Sequence, residues 1–138
     1  MQHALILTKN ILTEEEIIKH LQRLSFETLC SADIFHRFSH FASVSFLSYF
    51  RWIILSETLC HQEVEEILEQ LKGYPLVILR AVEDYPKEED QDYWHELGLD
   101  GWFVNGSSFE VVREQINQLQ ANVQKEIIGV SQLISFPN

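Results

Sequence analysis

Short apolar runs alternate along this chain with segments whose apolar residues recur every three or four positions. Ala4–Leu7, the run Arg51–Leu55, Leu76–Leu79 and Trp102–Val104 are too short for helices. They read as strands buried on both faces. Phe26–Cys30 alternates in part, is rich in strand formers and supplies the second strand of five. Thr13-Glu-Glu-Glu16 has the form of a capping box and predicts a first helix over Glu14–Leu24, with Ile17, Ile18, Leu21 and Leu24 as its apolar stripe. Ser31 or Asp33 is placed to cap a second helix. That helix leads into the stretch Phe35–Phe50, which carries five Phe and no helix breaker. Val64, Ile67, Leu68 and Leu71 mark a third helix over His61–Lys72, closed by Gly73. The fourth helix covers Glu88–Leu97 and stops at Gly98. Ser107-Ser-Phe-Glu110 has the form of a second capping box, ahead of a fifth helix with Val112, Ile116, Leu119 and Val123 on one stripe. Past about residue 120, Gly129 is expected to break the helix and Gln132–Phe136 to form a strand.

Five strands in strict alternation with five helices predict an α/β domain, a parallel sheet with helices on both faces. In such open sheets ligands meet the carboxyl ends of the strands. The third strand ends in Ser56-Glu57, the first in Thr8-Lys9-Asn10 and the fourth in Arg80-Ala81. Ser56 and Glu57 should therefore be the first residues a ligand touches.

Charge narrows the reading. The formal net charge is −11 over 138 residues, so these residues do not grip DNA or RNA themselves, since phosphate contacts need Lys and Arg. No apolar run approaches a membrane span, and the start of the chain lacks the basic region of a signal peptide. A cytoplasmic location is the expectation. Cys30 and Cys60 read as free thiols, ordinary small hydrophobes or sites of oxidation; Cys60 precedes a helix whose dipole favours a thiolate. His36 and His40, four apart, would share a helix face but have no third ligand, so no metal and no cofactor is expected.

The succession of strand–helix units, and above all Leu97-Gly-Leu-Asp-Gly-Trp-Phe-Val-Asn-Gly-Ser107, resembles the receiver domain of bacterial response regulators. There the matching segment reads Leu-Gly-Ala-Asp-Asp-Tyr-Leu-Val-Lys-Pro-Phe. The resemblance covers roughly residues 3–120 and implies a flavodoxin/CheY-like doubly wound sheet of strand order 2-1-3-4-5. It implies a receiver-like domain over 1–120, then a linker and the possible start of a DNA-binding domain over 121–138. Receivers accept a phosphoryl group on an Asp after the third strand, where this chain has Ser56. Their two acidic metal ligands after the first strand are matched by Thr8 and Lys9. Their Ser or Thr after the fourth strand is matched by Arg80, their Lys after the fifth by Asn105, and the following proline by Gly106. A pocket of Thr8, Lys9, Ser56, Arg80 and Asn105 offers two positive charges and no carboxylate, the wrong donor set for Mg²⁺. The acceptor and its charge neutralisation are both missing.

The resemblance thus implies a degenerate receiver that is not an enzyme and is not phosphorylated by a histidine kinase. It would control the dimerisation of a DNA-binding transcriptional regulator of the OmpR/PhoB type. The homodimer would form through the face of the fourth helix, fifth strand and fifth helix, with Trp102, Asp100 and Arg113 as switch or interface residues. DNA would be met only by a domain outside this sequence. The alternative is a stand-alone adaptor or a redox or ligand sensor. Lys9 and Arg80 are a candidate anion site, against the simpler expectation that they pair with Glu57, Asp100 or Asp84. A flavodoxin-shaped enzyme or small-molecule binder ranks last, for want of a Gly-rich phosphate loop or paired carboxylates.

Overall fold

The computed structural model describes the backbone of residues 2–134 and the side chains of residues 2–122. It divides into a body ending at Gly106 and a helical unit beginning at Ser107. In the body, β1 (Gln2–Leu7), β2 (Phe26–Ser31), β3 (Trp52–Leu55), β4 (Val77–Val82) and β5 (Gly101–Val104) form one sheet. All pairings are parallel and the order is β2-β1-β3-β4-β5, as the resemblance implies. All four β3 residues are buried, which is why the sequence there shows no alternation.

The register places Leu5, Leu7, Ile53, Leu55 and Ile78 on one face. They share a core with Val64, Ile67, Leu68 and Leu71 of a helix at His61–Leu71. The opposite face carries Ala4, Ile6, Trp52, Ile54 and Leu79, all buried, with Phe26 edge-on to Trp52 at 5.5 Å. Each such large side chain contributes about 1.5–3 kcal/mol on burial.

The helices of the body are α1 (Glu15–Arg23), α2 (Ala32–His36), α3 (Phe38–Phe41), α4 (Val44–Leu47), α5 (His61–Leu71) and α6 (Glu88–Glu96). Ser31 caps α2 by accepting from the Ile34 N–H at 3.0 Å. The Phe-rich stretch is three short helices, the third capped by Ser43; Phe35, Phe38 and Phe50 are core, while Val44 and Tyr49 are exposed. His36 and His40 lie in different helices, α2 and α3, so they do not share one helix face. Gly73 closes α5 at φ +85°, where a side chain would be strained.

The second unit is α7 (Phe109–Ile134). Its cap is Ser108, whose Oγ accepts from the Val111 N–H at 3.4 Å, and Glu110 pairs with Arg113 rather than closing a box with Ser107. The helix runs through Gly129, where a break was expected, and occupies 132–134, where a strand was expected. One glycine costs a helix only about 1 kcal/mol, and Gln124–Ile128 before it are mostly good or tolerable helix formers. Residues 135 and 136 of that expected strand lie outside the described residues.

Candidate functional site

The carboxyl end of the sheet is closed by a residue the sequence reading passed over. Asn10, not Thr13, caps the start of the first helical segment. Its Oδ1 accepts from the Leu12 N–H at 3.1 Å and opens a 3₁₀ turn, Ile11–Glu14, ahead of α1. The tighter turn brings Glu14 inward, where it is 3% exposed. Glu16, expected to complete the capping box, faces His20 instead.

Glu14 Oε1 accepts from Ser56 Oγ and, at 3.0 Å, from Thr8 Oγ1. Thr58 Oγ1 lies 2.9 Å from Ser56 Oγ and 3.3 Å from Thr8 Oγ1. Backbone donors fill the remaining valences: Thr58 N–H to Ser56 Oγ at 3.0 Å, Asn10 N–H to Thr8 Oγ1 at 3.1 Å, and Lys9 N–H to Thr58 Oγ1 at 3.0 Å. A consistent set of donors runs from Thr58 through Ser56 to the carboxylate, with Thr8 as a second donor to it. Every hydroxyl both gives and receives, the condition under which a buried polar cluster stabilises.

Two expectations are corrected here. The pocket does contain a carboxylate, supplied by α1's leading turn rather than by a strand end. Ser56 does not meet ligands first, since it is fully buried, as is Thr8.

The two cations also go elsewhere. Lys9 Nζ lies 2.6 Å from Glu63 Oε1 on α5, which also accepts from the Cys60 N–H at 2.8 Å. The lysine hydrogen bond leads in holding the Glu63 carboxyl down to about 2, and the same contact raises Lys9. Arg80 donates from Nη2 to Leu59 O at 3.3 Å and lies 5.4 Å from the Trp94 ring; burial lowers its pKa. Neither makes the expected pair with Glu57, Asp100 or Asp84. Lys9 is neutralised by Glu63, so the two do not form an anion site. The shallow depression of about 550 Å³ beside Arg80 and Thr58 has Glu57 and Glu83 in its lining, and an anion there would meet two carboxylates.

Asn105 is exposed and joins β4 through its backbone, N–H to Val82 O at 2.8 Å. Trp102 packs inward at 5% exposure, edge-on to Tyr85 and His95 at 5.8 and 5.0 Å. Asp100 Oδ2 accepts from the Ile78 N–H at 2.7 Å, a stitch between β4 and the start of β5. Arg113 lies on α7, in the other unit. Burial, with Glu14 adding to it, pushes the Cys30 thiol up to about 11, which keeps it protonated and a poor target for oxidation. Cys60 is exposed at the start of α5.

No protein-family model and no curated protein sequence matches the chain. Its likeness is to solved structures. A response regulator receiver domain protein (CheY-like) of Methanospirillum hungatei superposes with a TM-score of 0.69 at 16% identity, over 91% of this chain and 98% of that one. The chain has the receiver fold. A pilus assembly-related protein from Burkholderia pseudomallei gives 0.73 at 10% identity, over 88% and 90% of the two chains. An orphan response regulator of H. pylori gives 0.57 at 17% identity, over 85% and 94%. At these identities the receiver likeness is one of architecture, and the chemistry rests on the residues above. Among the described residues no helix is long and apolar enough to cross a membrane.

Proposed function

We propose that this chain is a receiver-fold regulatory module that does not use phosphoryl transfer and acts through protein contact. The observation that carries the reading is the burial of Ser56 beneath Glu14, Thr8 and Thr58. A serine there lacks the acylphosphate chemistry of an aspartate, and the nearest carboxylate is already occupied by hydroxyl donors. Thr8 and Lys9 stand where acidic metal ligands would be needed, and Lys9 is committed to Glu63. The buried Glu14 carboxylate is taken up by two hydroxyl donors, and among the described residues no three His, Cys, Asp or Glu side chains group as ligands for a metal ion.

The specific form we favour is the N-terminal half of a transcriptional regulator of the OmpR/PhoB type, controlled without phosphorylation, with DNA contacted by a further domain. Likeness to an orphan response regulator supports it. An adaptor within a larger assembly is the second reading, favoured by the superposition on a pilus assembly-related protein.

Incubation with acetyl phosphate and Mg²⁺, followed by intact mass measurement, tests the shared premise, with a competent receiver treated alongside. The expected result is no phosphoryl adduct on this chain. A stable adduct mapped to Ser56, Glu57 or Glu14 would overturn it.

A further inference from the structure

Helix α7 is 26 residues long, about 39 Å at 1.5 Å per residue. On its backbone, positions 109, 112, 116, 119, 123, 126, 130 and 133 recur at alternating spacings of three and four, so they fall on one stripe. The residues there are Phe109, Val112, Ile116, Leu119, Val123, Glu126, Val130 and Leu133. Seven of the eight are apolar. In heptad terms the first position of each repeat is Phe, Ile, Val, Val and the fourth is Val, Leu, Glu, Leu. β-Branched residues at the first position with Leu at the fourth favour two parallel strands. Val112 and Ile116 are buried within the chain, and Leu119 is half-buried.

We infer that the C-terminal part of α7, residues 119–134, is a self-association element: it pairs in parallel with the same segment of a second copy of this chain. Matching heptad stripes are self-complementary about a two-fold axis. Charge selects the same occupant. The helical unit carries Arg113 and Lys125 against Glu110, Glu114 and Glu126, a net of −1, so residues 1–106 hold −10 of the total −11. The paired segments themselves would therefore set little like charge against like. A two-fold contact through α6 would do the opposite. Residues 83–96 hold seven acidic residues and one basic residue, Lys87, and would set like charge against like. The contact thus keeps the fifth helix of the expected dimer face and leaves out its fourth helix and fifth strand. It does not depend on the absence of phosphoryl chemistry and would stand if that reading failed.

Glu126 supplies the decisive test, because it is the one polar residue on the stripe. Sedimentation velocity over a concentration series should show a monomer–dimer equilibrium. Glu126→Leu should tighten it by about tenfold or more, since a polar core position costs coiled-coil stability. Val123→Lys with Val130→Lys should abolish it while leaving tryptophan emission and the unfolding transition of the body unchanged. In a Cys30→Ser, Cys60→Ser background, Val130→Cys should form an intermolecular disulfide under mild oxidation and Gln124→Cys, off the stripe, should not. A chain that stays monomeric in both the native and Glu126→Leu forms would overturn the inference. So would a dimer indifferent to Val123→Lys/Val130→Lys, or equal cross-linking at 124 and 130.

Discussion

Removing one oxygen atom from the closed end of the sheet should have a cost out of proportion to its size. Ser56→Ala deletes the donor to Glu14 Oε1 and the acceptor of the Thr58 N–H. A hydrogen bond to a charged group contributes about 1.5–3 kcal/mol and a neutral one about 1 kcal/mol. Glu14 keeps Thr8 as a donor, so the carboxylate is left under-satisfied but not abandoned. The expected loss is about 3 kcal/mol. With a urea slope of about 2 kcal/mol/M, the unfolding midpoint should fall by about 1.5 M. Glu14→Leu removes the shared acceptor and should cost about 1–3 kcal/mol, because the Ser56 and Thr8 hydroxyls lose their acceptor in a buried site. The double variant is the informative one. If the cluster acts as a unit, its cost should fall short of the two singles added together by about 1.5–3 kcal/mol. Urea titrations of the four proteins, followed by tryptophan emission, supply the cycle. Additivity to within about 0.5 kcal/mol would mean the Ser56–Glu14 contact holds nothing together, and the account of the site would fail.

Two further outcomes follow from local geometry. Ser25 ends α1 at φ +66° and its N–H donates to Gln22 O at 3.0 Å; Ser25→Gly relieves the left-handed strain and should raise stability by about 0.5–1 kcal/mol, while an unchanged or lower melting temperature would refute it. Glu63 is held at about 2 against an ordinary 4.5, so its contribution is complete above pH 4.5 and is lost as pH falls toward 2. The contact is partly exposed, so Glu63→Gln should cost at most about 1 kcal/mol near neutral pH, and acid titration of stability should bring variant and native chain together. A gap that widens on acidification would contradict the assignment.

The sheet was legible because strands buried on both faces cannot alternate: Trp52–Leu55 and Ala4–Leu7 declare themselves by unbroken apolar runs. The site was only half legible. Strand-end positions located Thr8 and Ser56, whereas Arg80, expected at a strand end, lies within β4; Glu14 belongs to a helix entrance, and the capping box at Thr13 competed with Asn10 for the same role. A signal for Glu14 existed. It stands seven residues before Leu21 and three before Ile17, in line with the apolar stripe the sequence predicts for the first helix, and a carboxylate on an apolar stripe needs an internal partner. The partners of Lys9 and Arg80 were not legible, since Glu63, Leu59 and Trp94 meet them only through the packing of α5 and α6. Gly129 misled because a single glycine tests a helix without deciding its end.

Helix α6 is sparsely attached to the body. Trp94 is its one buried residue, and the Tyr93 hydroxyl, donating to Glu65 at 2.6 Å, ties it to α5 at an exposed point. Segments with so few moorings open at a small fraction of the global unfolding free energy, and their amides exchange first. Pressure from a bound protein would thus be felt as loosening along Glu88–Glu96 long before the hydroxyl–carboxylate knot at Ser56 gave way. In this molecule the compliant helix lies against β5, an edge strand, while the rigid knot holds the carboxyl ends of the inner strands β1 and β3.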